Sequence, residues 1–104
     1  MKWFKDNRER DIRFSDERLN HIETDHPEMV GQTDKIKEVL TSPDIIVRSR
    51  TDSNVEMFYK HYPSTPVTEK FLCVIIKDLI EDLFIITVYF TDTIKKGEIL
   101  WKKK

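Results

Sequence analysis

Apolar positions along the chain change their period near residue 44, and that change divides the molecule into a helical first half and an extended second half. Ser15 is placed to cap a helix, with Asp16 and Glu17 in a first turn that suits the helix dipole. Leu19, Ile22 and His26 continue along one face, and Pro27 disfavours helical geometry at His26, so the helix should stop there. After Gly31, Thr33 is read as the cap of a second helix. Its apolar set Ile36, Val39 and Leu40 has one-sided i, i+3, i+4 spacing, and Ser42-Pro43-Asp44 ends it.

Beyond this point the residues become β-branched and alternate. Asp44 to Arg50 reads as a strand with Ile46, Arg48 and Arg50 on one face. The turn-rich Thr51-Asp52-Ser53-Asn54 then leads into a second strand, Val55 to Tyr62, so a hairpin is predicted. Phe71 to Ile76 is a nearly continuous apolar run, suited to a central strand covered on both sides. Leu83 to Thr91 is the last long strand. By strict alternation its Phe84, Ile86, Val88 and Phe90 face packs under the helices, and Leu83, Ile85, Thr87, Tyr89 and Thr91 share the other. Ile94 to Trp101 reads equally as an edge strand or a tail. Residues 1–14 read as a charged arm anchored by Phe4, Ile12 and Phe14, with Arg8, Arg10 and Arg13 in solvent. The expected fold is therefore α+β: two short N-terminal helices packed on a four-stranded antiparallel sheet, in one domain spanning 1–104 with a basic tail at 102–104.

Composition narrows the function classes. The chain carries 18 Lys+Arg against 19 Asp+Glu, a net charge of −1, so it is not a chain-wide polyanion binder. The charge is unevenly placed: Ser15 to Asp44 is net −5, and Lys95 to Lys104 is net +4. One cysteine, Cys73, excludes a disulfide framework. No apolar leader opens the sequence, and no stretch reaches the ~20 apolar residues of a membrane helix. A cytoplasmic protein with a reduced thiol and no membrane partner is expected. Two glycines cannot supply a phosphate-cradling loop or a dinucleotide fingerprint. His21, His26, Glu28, His61 and Cys73 are metal-ligand types, but none of the usual ligand spacings is present, so neither metal nor other cofactor is expected.

Three groups of residues could carry chemistry. Thr87 and Tyr89 turn the end of the last strand polar. Arg48, Arg50, Tyr59, Lys60, His61 and Tyr62 come from the two strands of the hairpin, and such residues on an open sheet face can grip phosphates and stack bases. His21 and His26, five residues apart, point about 140° from each other around a helix. His26 continues the packing stripe and His21 leaves it. A histidine is the natural proton carrier near neutral pH, able to take the 2′-OH proton of RNA or to protonate a leaving 5′-oxygen. Lys95 and Lys96, with the terminal lysines, could steer an RNA or rest on the acidic helices.

The segment Arg18-Leu19-Asn20-His21-Ile22-Glu23-Thr24-Asp25-His26-Pro27-Glu28 resembles the "HI…HPE" helix of small phage and bacterial proteins in the barnase–EndoU–colicin–RelE group of nucleases. The resemblance continues through Ile36–Leu40, Ser42-Pro43-Asp44, Tyr59-Lys60, Ile86-Thr87-Val88-Tyr89 and Lys95-Lys96-Gly97-Glu98 with Trp101, in the same order along the chain. It implies N-terminal helices on a four-stranded antiparallel sheet and metal-independent cleavage of RNA, by a toxin of a toxin–antitoxin pair or a phage effector. It further implies acid–base work by His21, shared with or replaced by His26. Lys60 and Arg48 would hold the scissile phosphate, and Thr87 and Tyr89 would position it. RNA and an antitoxin protein are the implied partners. Two other readings stand beside it. One is a catalytically silent module that binds RNA or protein through Arg48, Arg50, Tyr59 and Tyr62. The other is a homodimer paired through a sheet edge.

Overall fold

Ser15 caps the first helix as its side chain allows: its Oγ accepts the Arg18 N–H at 3.1 Å. Helix α1 runs Asp16–Asp25, His26 is its C-cap, and Pro27–Met29 follows as a single 3₁₀ turn that a proline can start. Helix α2 is Thr33–Thr41, with Ile36, Val39 and Leu40 buried. Its cap is Gln32 rather than Thr33, and no side chain accepts its first free N–H groups. The computed structural model describes Met1–Lys104.

The expected four-stranded antiparallel sheet is not what the chain forms. The sheet has seven strands: β1 (Lys2–Lys5), β2 (Asp11–Phe14), β3 (Ile45–Arg48), β4 (Val55–Tyr62), β5 (Lys70–Asp78), β6 (Leu83–Thr91) and β7 (Glu98–Lys102). They lie in the order β1-β2-β6-β5-β4-β3-β7, and the β2–β6 pair is parallel, so the sheet is mixed. The predicted meander β3–β6 makes its centre. Residues 1–14 are an antiparallel hairpin that adds two strands ahead of the helices, with Phe4, Ile12 and Phe14 buried. The C-terminal segment adds a seventh strand along β3, and the Lys103 N–H donates to the Asp44 carbonyl at 2.9 Å.

Two further expectations change with this sheet. Arg10 is not solvated: it joins Arg8 in gripping the buried carboxylates Asp6 and Glu56, and its Nη1 reaches Asp78 at 3.2 Å. This network closes the β1–β2 turn onto the sheet, while the Asn7 N–H donates to Leu40 at the end of α2. The second change is on β6. Ile76 pairs with Ile85 but Ile75 pairs with Thr87, so Ile86 is an extra residue and the strand carries a β-bulge. The bulge flips the alternation. Leu83 and Ile85, before it, join Val88 and Phe90, after it, in the core under the helices.

That core faces the helices and contains sixteen buried residues, among them Ile22, Ile36 and Leu40 against Phe14, Phe58, Leu72 and Val74. The opposite face, here the outer face, is crossed by the connection from β6 to β7. Residues 92–97 pass diagonally over β5, β4 and β3, because β7 starts beside Arg48 at the far end of the sheet. Ile94 of this strap packs on a smaller cluster of Val47, Met57, Tyr59 and Cys73. Gly97 allows the crossing: a Cβ there would stand 2.2 Å from the Arg48 carbonyl oxygen and 2.8 Å from a Val47 methyl.

Candidate functional site

The outer face is built from strand parity. Ile45, Tyr59, Cys73 and Tyr89 are register partners on four adjacent strands and form one rung. His61 and Phe71 lie on the next rung toward one end, their rings 5.4 Å apart. The Tyr59 ring is fully buried, and its hydroxyl is satisfied: it accepts the Lys95 N–H at 3.1 Å and donates to the Met57 sulfur at 3.7 Å. Tyr59 is therefore the anchor of the strap and not a ring open to a base.

Burial sets the ionisation of this rung. It pushes the Cys73 thiol up to about 12, even with the Tyr89 and Tyr59 hydroxyls beside it. Burial, then the neighbouring thiol, pushes Tyr59 up to about 12, and Tyr89 is raised for the same reasons. All three groups are neutral near neutral pH. They can donate and accept hydrogen bonds there, but Cys73 is not a thiolate nucleophile.

His26 reaches this face from the helix layer. β2 pairs with β6 only at Leu83 and Phe84, so the rest of that β6 edge has no strand beside it. Helix α1 packs against β6. From the C-cap position the His26 ring stands 6.3 Å from the Tyr89 ring, tilted by 33°, with Nδ1 3.5 Å from a Glu28 oxygen. Of His21 and His26, the structure brings His26 to Tyr89. His21 is exposed, and its nearest charged neighbour is Asp25 at 3.8 Å.

The remaining predicted residues divide between the faces. Lys60 lies on the helix side with Phe58 and Tyr62; its Nζ donates to the Ser42 carbonyl at 2.9 Å and is 4.0 Å from Asp44. Tyr62 donates to Glu38 of α2 at 2.6 Å, and burial with that carboxylate pushes its hydroxyl up. Lys60 and Tyr62 therefore stand on the opposite side of the sheet from Tyr59 and Tyr89. Arg48 is held at the end of β3 by Glu98 at 3.0 Å and the Ser53 carbonyl at 2.9 Å. Thr87 follows the bulge and shares the outer face with Tyr89.

Arg50, Lys95 and Lys96 converge where the strap crosses the sheet. They line hollows on both of its sides, one of about 370 Å³ with Ile45, Val47 and Ile99, the other of about 310 Å³ with Val55, Met57 and Ile75. None of the three makes an ion pair, whereas Arg10, Arg13, Arg48, Lys70 and Lys77 all do. Three cations above an apolar floor with no carboxylate paired to them leave positive charge that an incoming anion need not compete for. No group of three or more His, Cys, Asp or Glu is arranged to hold a metal ion. No helix is long and apolar enough to cross a membrane.

Sequence reasoning missed two features here: Cys73 at the centre of the rung, and the way the strap delivers Lys95. Cys73 sits within an apolar run that signals only burial, and the strap's course depends on the strand order. Set against known proteins, the chain shows no significant match to a family model, a curated protein or a solved structure.

Proposed function

We propose that this protein is a metal-independent endoribonuclease of the toxin type, acting in a reducing cytoplasm on RNA laid along the outer face of the sheet beside the strap. The observation that carries the reading is the convergence of the unpaired Arg50, Lys95 and Lys96 on the face that also holds His26 and Tyr89. The residue pattern shared with the barnase–EndoU–colicin–RelE nucleases supports RNA as the substrate and an antitoxin as the protein partner.

In this reading the cations neutralise the phosphate and the charge that develops on it, while the Tyr89 and Thr87 hydroxyls hydrogen-bond its oxygens. His26 transfers the proton. A base removes the 2′-OH proton, the 2′-oxygen attacks phosphorus, and the P–O5′ bond breaks as the 5′-oxygen is protonated, leaving a 2′,3′-cyclic phosphate and a 5′-hydroxyl.

The test is incubation of the purified protein with RNA in EDTA, with and without ribosomes. Cyclic-phosphate ends should form, DNA should survive, and His26→Ala should slow cleavage by about 10²- to 10⁴-fold with an unchanged circular dichroism spectrum. A requirement for Mg²⁺, or full activity in His26→Ala, would overturn the mechanism. One observation favours a second reading. Every hydroxyl and thiol of the central rung is held neutral, so the rung itself supplies no anionic nucleophile or base at neutral pH. An RNA-binding module without catalysis fits that too, and is identified by wild-type protein that binds RNA and leaves it intact.

A further inference from the structure

We infer that the outer face carries a stacking track for single-stranded RNA, leading from the exposed Trp3 across Arg13 and Phe84 toward the strap cations. This rests on the RNA reading above and adds the form of RNA that the site takes. The register places the residues side by side: Trp3 pairs with Arg13, Arg13 with Phe84, Phe84 with Lys77, and Lys77 with Val55. Phe4, Ile12 and Leu83, on the alternate positions, belong to the core under the helices, so this rung faces outward. Its last member, Val55, lines the hollow that Arg50, Lys95 and Lys96 border.

Trp3, Arg13, Phe84 and Lys77 alternate aromatic and cationic groups before the aliphatic Val55, and the five positions span four inter-strand steps, roughly 19 Å at ~4.8 Å each, enough for a few nucleotides. Trp3 is 61% exposed on an edge strand, where a large aromatic ring gains little by folding. Beside it the Arg13 guanidinium is held at two of its nitrogens. Asp82 accepts from its Nε at 2.7 Å and from its Nη2 at 2.9 Å, and its carbon lies 4.7 Å from the centre of the Phe84 ring. A guanidinium held in this way offers a planar platform to a base, as does the indole next to it. Duplex RNA, whose bases are stacked on one another, has no face to offer such a track, and an unpaired strand does. The phosphates of a strand entering over Trp3 would run toward the unmatched lysines of the strap.

The experiment uses the full chain with a 2′-O-methyl oligouridylate of about twelve nucleotides, which cannot be cleaved, and a duplex of the same length. The single strand should quench tryptophan emission in the wild type. Trp3→Ala should remove that quenching although Trp101, partly buried against the helix-side core, remains. It should weaken single-strand binding about 5- to 150-fold, the range for losing one base–aromatic stack. Trp3→Phe should restore most of the affinity, and cleavage of a dinucleotide, too short to reach the track, should be the same in all three proteins. Trp3→Ala binding the oligonucleotide as tightly as wild type would overturn the track while leaving RNA cleavage standing, and would assign the Trp3 surface to a protein partner. Wild-type protein that neither binds the oligonucleotide nor cuts RNA would overturn both.

Discussion

On the helix side a core of sixteen buried residues joins the sheet to two helices, while on the strap side only Val47, Met57, Tyr59 and Cys73 are buried, under six residues of crossing chain. The first face is secured by area. The second is secured by a few specific contacts: Ile94 in the cluster, the Lys95 N–H on the Tyr59 hydroxyl, and Gly97 against the Arg48 carbonyl. Hydrophobic stabilisation scales with the apolar surface removed from water, so the helix side carries the fold. The strap side is left free to expose cations and polar groups that a deeper core would exclude. The division explains why every unpaired residue of the proposed anion site lies on one face.

Adjacent residues on β4 give the sharpest test of that difference, since Phe58 points into the helix-side core and Met57 into the strap-side cluster. Phe58→Ala should cost about 3–5 kcal/mol, a large share of the stability of a domain this size. Met57→Ala should fall near the low end of the range for such truncations, about 2 kcal/mol, because the strap can settle into the space. Urea denaturation of the two variants reads both values. Equal losses would mean that the strap side is packed as rigidly as the helix side.

A smaller effect should follow from Gly97→Ala, which puts a methyl group against a backbone oxygen that cannot turn aside. The strap must lift, at a cost of about 1–3 kcal/mol. The loss should be accompanied by weaker RNA binding, because Lys95 and Lys96 move with the strap. Substitution of an exposed residue outside the strap, such as Lys37→Ala, should leave both properties unchanged. Should Gly97→Ala destabilise the protein and bind RNA as before, the strap would be a structural tie with no part in the site.

How much of this could be read from the sequence depends on the range of the interactions. Ser15, Pro27 and the Ile36/Val39/Leu40 stripe act within a few residues of themselves, and they define the helices as expected. The hairpin of β3 with β4 and the buried course of β5 were legible for the same reason. β1 and β2 were not. Each has four residues, and β2 finds its second neighbour about 70 positions away, where Ile12 meets Leu83. The bulge at Ile86 leaves no mark in the apolar pattern, because Leu83 to Val88 contains five apolar residues and either parity looks satisfactory. The candidate site shows the same limit. Alternation correctly separates Tyr59 from Lys60 within a strand, but only the register shows that Tyr89 shares Tyr59's side and that Lys60 faces the helices. The convergence of Arg50 with Lys95 and Lys96 is set by the strand order, which places β7 beside β3.

The two faces should also respond to opposite ends of the pH scale. On the helix side, burial pushes the Glu56 carboxyl up, but the Arg10 and Arg8 guanidiniums more than offset this and hold it below its usual value of 4.5. A carboxyl depressed in the fold contributes stability that is present above its ordinary value and is lost as pH falls through the folded one. Glu56, the buried one of three depressed carboxyls, therefore leads acid unfolding below about pH 4.5, while the more exposed Asp52 and Asp82, beside Lys77 and Arg13, add less. On the strap side, Cys73 and Tyr59 are raised from 9.0 and 10.0 to about 12. Above about pH 9 the unfolded chain ionises these groups while the fold keeps them neutral, so stability falls between about pH 9 and 12. Tyr62 and Tyr89, raised as well, add to that alkaline limb, so removing one group flattens it only in part. Urea midpoints across pH should show Tyr59→Phe with a shallower alkaline limb and an unchanged acid limb, and Glu56→Gln with the reverse. At neutral pH Tyr59→Phe should cost about 1 kcal/mol, the ordinary worth of the hydrogen bond that its hydroxyl accepts from the strap. An alkaline limb untouched by Tyr59→Phe would place that sensitivity in Tyr62 on the helix side, and the division of labour between the faces would then hold for acid alone.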